Sequence, residues 1–256
     1  MTQRMAQTMT RTMARYFITI SFDGTRYHGW QIQPNGITVQ QVLEECMTTL
    51  LRQEMHVTGA GRTDAGVHAR VMTAHFDWDG EPLDCPQMIY RLNRLLPSDI
   101  AVNDLHTVSD DMHARFSAKW RTYHYYVHTH KNPFLRNRSL ETYYHLDFEL
   151  MNKAGELLTR HKDFAAFCKA GAASKTTICE LRECKWIRTS DSEWYMTVTA
   201  NRFLRNMVRA IVGTMIMLGR HIITLEQFED IVNNGSRSNA GESMPAKALF
   251  LWDIVY

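Results

Sequence analysis

The segment Gly59-Ala60-Gly61-Arg62-Thr63-Asp64-Ala65-Gly66-Val67-His68-Ala69 concentrates groups that could do chemistry. Three glycines within eight residues permit strained turns and let a ligand approach the backbone closely. Arg62 and Asp64 stand two apart, so the loop offers a cation and a carboxylate, and a carboxylate can act as a base or a nucleophile. The same spacing suits a structural loop braced by a local Arg62–Asp64 ion pair. His68 and His75 flank the loop, yet no carboxylate or cysteine stands at ligand spacing with them. Structural, hydrogen-bonded histidines are therefore expected, and no metal site.

Two acid-free stretches could hold a polyanion. Between Met112 and Leu140 lie Arg115, Lys119, Arg121, Lys131, Arg136 and Arg138, four histidines and no acid, interleaved with Phe116, Trp120, Tyr123, Tyr125, Tyr126 and Phe134. Basic side chains pair with phosphates and aromatic faces accept bases, so this mixture suits RNA better than a small neutral metabolite. A solvated charged strand is the alternative. From Trp194 to Leu225 there is again no acid, and Arg202, Arg205 and Arg209 fall at i, i+3 and i+7 of a predicted helix. Leu204, Met207, Val208, Ile211, Met215 and Leu218 would bury the opposite side, and Gly213 near the arginines would allow close approach. An ordinary amphipathic surface helix gives the same pattern.

The elements that must position these residues follow from periodicity. Tyr16, Ile18, Ile20 and Phe22 alternate against Phe17, Thr19 and Ser21 as in a strand. Thr38 and Gln41 form a capping-box pattern before Val42, Leu43, Cys46, Met47 and Leu50 on one helical face. Strands are predicted at His56 to Thr58 and Val71 to Asp77. A helix starting at Pro86 would turn Ile89, Leu92, Leu95 and Leu96 inward, and a strand follows from Ile100 to Val108. The order is βαββαβ. The second half repeats it weakly, with a strand at Trp120 to Thr129, a helix at Phe148 to Arg160, strands at Cys179 to Arg188 and Glu193 to Ala200 joined by a turn at Thr189 to Ser192, then helices and a strand at Leu249 to Val255. Two α+β sandwiches result, each with helices on one sheet face.

Composition narrows the class. A chain of 256 residues with 45% apolar and 22% charged residues and a net charge of +2 suits two domains of ordinary size. Five cysteines without a C-x-x-C pair suggest neither zinc nor a disulfide framework, and a reducing cytoplasm fits best. The longest apolar run, Met207 to Leu218, contains Arg209 and is well below the roughly 20 residues a membrane span needs. Residues 1–15 are expected to be a disordered tail, with Arg4, Arg11 and four Met at four-residue spacing but no acid.

GAGRTDAGVHA resembles the signature of TruA-type tRNA pseudouridine synthases. Phe22 to Gln31 (FDGTRYHGWQ), His113 to Ala118 (HARFSA), Arg121-Thr122-Tyr123, and Asn201 to Arg209 with Ile211-Val212-Gly213 are similar to further motifs of that family, so the resemblance covers residues 16–256. It departs at Val71-Met72, where the family has Gly-Gln, and at Ala248, where it has Gly; both bear on the shape of the pocket. The resemblance implies an α+β pseudouridine synthase fold of two ferredoxin-like, RRM-like βαββαβ domains, residues 16–117 carrying the Asp loop and 118–256, with mainly antiparallel sheets flanking a central cleft. It implies Asp64 as catalytic carboxylate, Arg209 as its partner and Tyr123 as the ring that stacks on the extruded uracil. Pattern alone would make Tyr123 and Leu249 core residues; by resemblance Leu249 packs near the base. Arg62 would fill the space the base vacates, or else brace the loop. Arg202, Arg205, Lys119 and Arg121 are candidates for holding RNA. No cofactor is implied. The partner would be tRNA, modified at nucleotides 38 to 40 of the anticodon stem-loop by a homodimer. A non-catalytic RNA-binding protein with duplicated RRM-like domains is the alternative, but it gives no reason for the Arg62-Thr63-Asp64 loop.

Overall fold

The computed structural model describes residues 13–256 except 170 and 172–174. Its first half runs β1 (Ala14–Phe22), α1 (Val39–Leu51), β2 (Thr58–Gly59), β3 (His68–Trp78), α2 (Cys85–Leu95) and β4 (Ile100–Val108). The second runs β5 (Trp120–His128), β6 (Leu140–Glu141), α3 (Phe148–Arg160), β7 (Leu181–Arg188), β8 (Glu193–Ala200), α4 (Met207–Gly219), α5 (Leu225–Asn234) and β9 (Leu249–Val255). The expected βαββαβ order holds in the first half; the second adds β6 and places two helices before its last strand. Residues 14 and 15 belong to β1, with Arg15 bonded to Asp77, while residues 1–12 of the expected tail lie outside the described residues.

The two halves share one sheet, ordered β4-β1-β3-β9-β5-β8-β7, with β2 on β3 and β6 on β5. The seam is the parallel pairing of β3 with β9, His68 against Phe250 and Ala69 against Leu251. The other pairings along this order are antiparallel. Side-chain alternation then sorts the faces. Tyr16, Ile18 and Ile20 of β1 join Met72, Ala74 and Phe76 of β3 under α1 and α2 in one apolar core. Tyr125 and Val127 of β5 and Met196 and Val198 of β8 pack with α3, α4 and α5 in a second. Tyr123 touches both. On the opposite face His124 stacks on Trp252 at 4.2 Å and Arg70 covers the Trp252 ring at 4.7 Å.

Local chemistry sets the ends. The Thr38 side chain caps α1 by accepting from the Gln41 N–H, but the Gln41 side chain donates to Glu45, so only half of the expected capping box forms. The full box stands at Thr224 and Gln227 of α5. Asp84, ahead of Pro86, caps α2; Met88, Leu92 and Leu96 are buried there, whereas Leu95 is exposed, contrary to expectation. The turn after β7 closes through the Thr189 N–H donating to the Glu193 carbonyl at 2.9 Å.

A larger correction concerns α4. Asn206 adopts φ 67 and the helix begins only at Met207, so Arg202 and Arg205 lie in the preceding loop and do not share a helical stripe with Arg209. The helix is not amphipathic either: apart from Arg209 and Met217, every one of its residues is buried. Gly213 does allow close approach, by the chain itself, since a Cβ there would sit 1.8 Å from the Glu242 carbonyl oxygen.

Candidate active site

Asp64 lies on the loop between β2 and β3. That loop is gripped by the segment after β1, backbone against backbone. The Trp30 N–H donates to the Thr63 carbonyl at 3.4 Å and the Gly66 N–H to the Tyr27 carbonyl at 3.2 Å. Gly29 has φ +83, and a Cβ on it would meet the Thr63 oxygen at 2.3 Å; one on Gly24 would meet the Val67 oxygen at 2.0 Å. Only glycine fits such contacts without displacement. The FDGTRYHGWQ motif therefore acts as the cradle of the Asp loop, a role its composition alone does not disclose.

Across the seam stands Arg209, in the first turn of α4. Its Nη1 donates to Asp64 Oδ2 at 3.1 Å, and its Nε donates to the Met244 carbonyl at 2.6 Å. The Met244 N–H returns a bond to the Arg209 carbonyl at 3.1 Å. The guanidinium is thus fixed from behind while one arm presents to the carboxylate, a geometry that aims the carboxylate. The two side chains are 33% and 20% exposed for Asp64 and Arg209, which leaves the carboxylate open to a substrate. The loop contains no Arg62–Asp64 pair; exposed Arg62 makes no hydrogen bond or ion pair with the described residues.

Tyr123 rises from β5 beside this pair. A β-bulge on β9 places Tyr123 opposite Leu251 while Thr122 faces Asp253, so Trp252 is the extra residue; bulges of this kind re-aim neighbouring side chains. The Tyr123 and Phe203 rings meet in a T-shaped contact, 5.0 Å apart at 84°. Burial, opposed by Arg121 and reinforced by the Asp64 charge, pushes its hydroxyl up to about 12. At neutral pH it remains a proton donor. Leu249, 5% exposed and paired with Tyr125, contributes to the apolar wall.

A carboxylate bonded to an arginine beside a tyrosine thus stands at the seam of the two halves. Residues 18–117 and 156–256 match a family described as tRNA pseudouridine synthase. The chain belongs to the tRNA pseudouridine synthase family. Among its relatives, the tRNA pseudouridine synthase A of Bacteroides fragilis is 48% identical over 245 residues, covering 96% of this chain and 97% of that one. The protein of the same name from Porphyromonas gingivalis is 48% identical over 246 residues, covering 95% and 98%. Another, from Ruminiclostridium cellulolyticum, is 37% identical over 246 residues, covering 95% and 100%. Membership in this synthase family makes the chain an isomerase.

Around the synthase site, the basic residues divide. Arg121 donates to the carbonyls of Asn201 (2.9 Å), Ala118 (3.4 Å), Ala60 (2.9 Å) and Arg115 (2.6 Å), so its guanidinium staples the Asp loop to two neighbouring segments. Lys119, Arg136 and Arg205 project from the surface, and Arg202 is half-buried. His68 is buried and structural: its Nδ1 accepts the Gly24 N–H at 3.1 Å, and its Nε2 donates to the carbonyls of Asn137 (2.9 Å) and Lys247 (3.0 Å). His75 is likewise buried, accepts the Ala114 N–H at 3.2 Å, and is pushed down to about 4 by burial and by its neighbours His113 and Arg15. No group of three or more metal-binding side chains occurs among the described residues, and none of their helices is long and apolar enough to cross a membrane.

Proposed function

We propose that the chain converts uridine to pseudouridine in tRNA, at nucleotides 38 to 40 of the anticodon stem-loop, with Asp64 as the catalytic carboxylate. The observation that carries this reading is the Asp64–Arg209 pair at 3.1 Å, partly open to solvent beside Tyr123. The reaction breaks the bond from ribose C1′ to uracil N1, turns the base and rejoins it through C5. The proton that leaves C5 is matched by one gained at N1, so no oxidant, hydrolytic water or cofactor is required. A carboxylate that stays ionised can act as nucleophile or base in this sequence.

The uracil must leave its stack first, at a cost of a few kcal/mol. Arg62, exposed and without a partner among the described residues, is free to enter the vacated space. The Tyr123 ring would lie against the base, with Leu249 as apolar floor, and its protonated hydroxyl could exchange a proton at C5. Lys119, Arg136 and Arg205 would meet phosphates at the surface, with Arg202 behind them, whereas Arg121 serves by bracing the loop. The protein acts in the cytoplasm as a homodimer, one tRNA spanning both subunits; the family resemblance supports this.

The test is Asp64→Asn, which keeps the side-chain shape and removes the charge. Pseudouridine formation should vanish while tRNA affinity stays within about tenfold, or roughly 1.4 kcal/mol. Carbodiimide mapping of the product RNA reads the modified positions, and unchanged RNA mass distinguishes isomerisation from base excision. A folded Asp64→Asn protein that works near the parental rate would remove Asp64 as the catalytic carboxylate and leave its loop structural.

A further inference from the structure

The segment 240–244, between α5 and β9, carries the Met244 carbonyl that fixes Arg209, yet it has no helix or strand of its own. Its position must come from contacts to other residues. Arg237 supplies three of them: Nη1 donates to the carbonyls of Ala240 (3.3 Å) and Gly241 (3.0 Å), and Nη2 donates to Ser243 Oγ at 2.9 Å. Ser243 Oγ also accepts from the Asn206 side chain, at the residue where α4 begins. The Gly241 N–H donates to Thr214 Oγ1 at 2.9 Å, a Cβ on Gly241 would meet the Gly213 backbone at 2.6 Å, and one on Gly213 would meet the Glu242 carbonyl oxygen at 1.8 Å. The segment is thus pressed on α4 and curled around one half-buried guanidinium.

We propose that Arg237 is a positioning residue for the isomerisation: by fixing the backbone of 240–244 it holds the Met244 carbonyl on Arg209 Nε, and through Arg209 it holds the carboxylate of Asp64. The relay runs Arg237, Ser243 and Gly241, Met244, Arg209, Asp64, each step a hydrogen bond or the intervening backbone. Arg237 itself makes no contact with Asp64, so it acts on the aim of the pair and not on the substrate. A planar guanidinium suits this task, because its rigid fork of donors can satisfy two carbonyls and a hydroxyl at once, which an ammonium cannot do in one geometry. This inference rests on the reading of Asp64 as the catalytic carboxylate.

The experiment uses the full chain and unmodified tRNA in single-turnover assays, with Arg237→Met to remove the donors and keep the length, and Arg237→Lys as the conservative variant. Thermal melting checks folding first. The expected result is a rate about tenfold or more below the parent with the tRNA dissociation constant within about threefold, and partial recovery in Arg237→Lys. The readout that separates positioning from general support is a double-mutant cycle. In an Arg209→Lys background, where Nε is gone, Arg237→Met should slow the reaction by less than about twofold more. Full multiplication of the two losses, a rate within about twofold of the parent in the single variant, or weakened tRNA binding that accounts for the loss would each overturn the proposal. Should Arg237→Met fail to fold, Ser243→Ala takes its place, with a rate about threefold down at unchanged affinity as expected result and an unchanged rate as the refuting one. An active Asp64→Asn protein would instead defeat the underlying reading, whatever Arg237 does.

Discussion

The site is assembled from two loops that are held in different ways. The Asp64 loop is positioned by backbone packed on backbone, through Gly24 and Gly29 and the bonds from Trp30 and to Tyr27, with Arg121 adding one side-chain donor at Ala60. The 240–247 segment also touches backbone, at Gly213, but its carbonyls are held one by one by side chains: Arg237 on Ala240 and Gly241, Arg209 on Met244, Tyr125 on Pro245 at 3.0 Å and His68 on Lys247. Close backbone packing tolerates almost no added volume, whereas a set of several donors loses strength one bond at a time. The first loop should therefore fail abruptly where its glycines are substituted, and the second by degrees where its side-chain donors are removed.

The comparison breaks most sharply at Gly29. Gly29→Ala combines a left-handed φ with a Cβ 2.3 Å from the Thr63 oxygen, so a loss of about 3 kcal/mol or more is expected in urea denaturation. Gly61→Ala, in the same loop, meets nothing within 4 Å and has no positive φ, so it should stay within about 0.5 kcal/mol of the parent. Similar losses in both variants would show that the loop is not fixed by backbone contact.

On the other loop, Tyr125→Phe deletes one bond to the Pro245 carbonyl and keeps the buried ring. Stability should fall by about 1 kcal/mol, with single-turnover rates down by about twofold. A collapse of activity there would mean that the second loop is as brittle as the first.

A further expected effect involves neither loop. His75 and His124 are held at about 4, His75 by burial, His113 and Arg15, and His124 by burial and Arg70. Unfolded, each would titrate near 6.5, so the unfolded chain binds more protons below that value. Their contribution is whole above pH 6.5 and is lost as pH falls toward 4, amounting to somewhat under about 1 kcal/mol each at pH 6. The Tm should decline across that window while the gap between Gly29→Ala and Gly61→Ala stays constant. A Tm that is flat from pH 7 to 5 would contradict the burial of both imidazoles.

The same contrast governs what could be read from the sequence. Strands and helices with a clean apolar period, such as β5, α3, β7 and β8, are found within about two residues of their predicted bounds. The Asp loop stands out because close backbone approach demands glycine, and glycine is visible in a sequence. The 240–247 segment does not, since every residue owns a carbonyl and its identity says nothing about which side chain will donate to it. The Arg stripe misled for a related reason: the apolar period runs through Leu204, which is buried, but in a docked loop ahead of Asn206 and not in the helix. Leu95 misled because α2 ends there, before the next turn could cover it. The Asp64–Arg209 contact spans 145 positions, a distance over which spacing carries no information; motif resemblance bridged it.

The parallel β3–β9 seam has a consequence for the order of events during synthesis. β9 lies between β3 and β5 in the finished sheet, although it follows all the other described strands in the chain. At synthesis rates of roughly 5–20 residues per second, the Asp64 loop waits on the order of ten seconds for the segment that clamps Arg209. Throughout that interval β3 and β5 expose unpaired edges, and pairings so distant in sequence form slowly. A chain in which β9 has not yet paired lacks the strand pairing that joins its two halves, and with it the frame that brings Arg209 to Asp64.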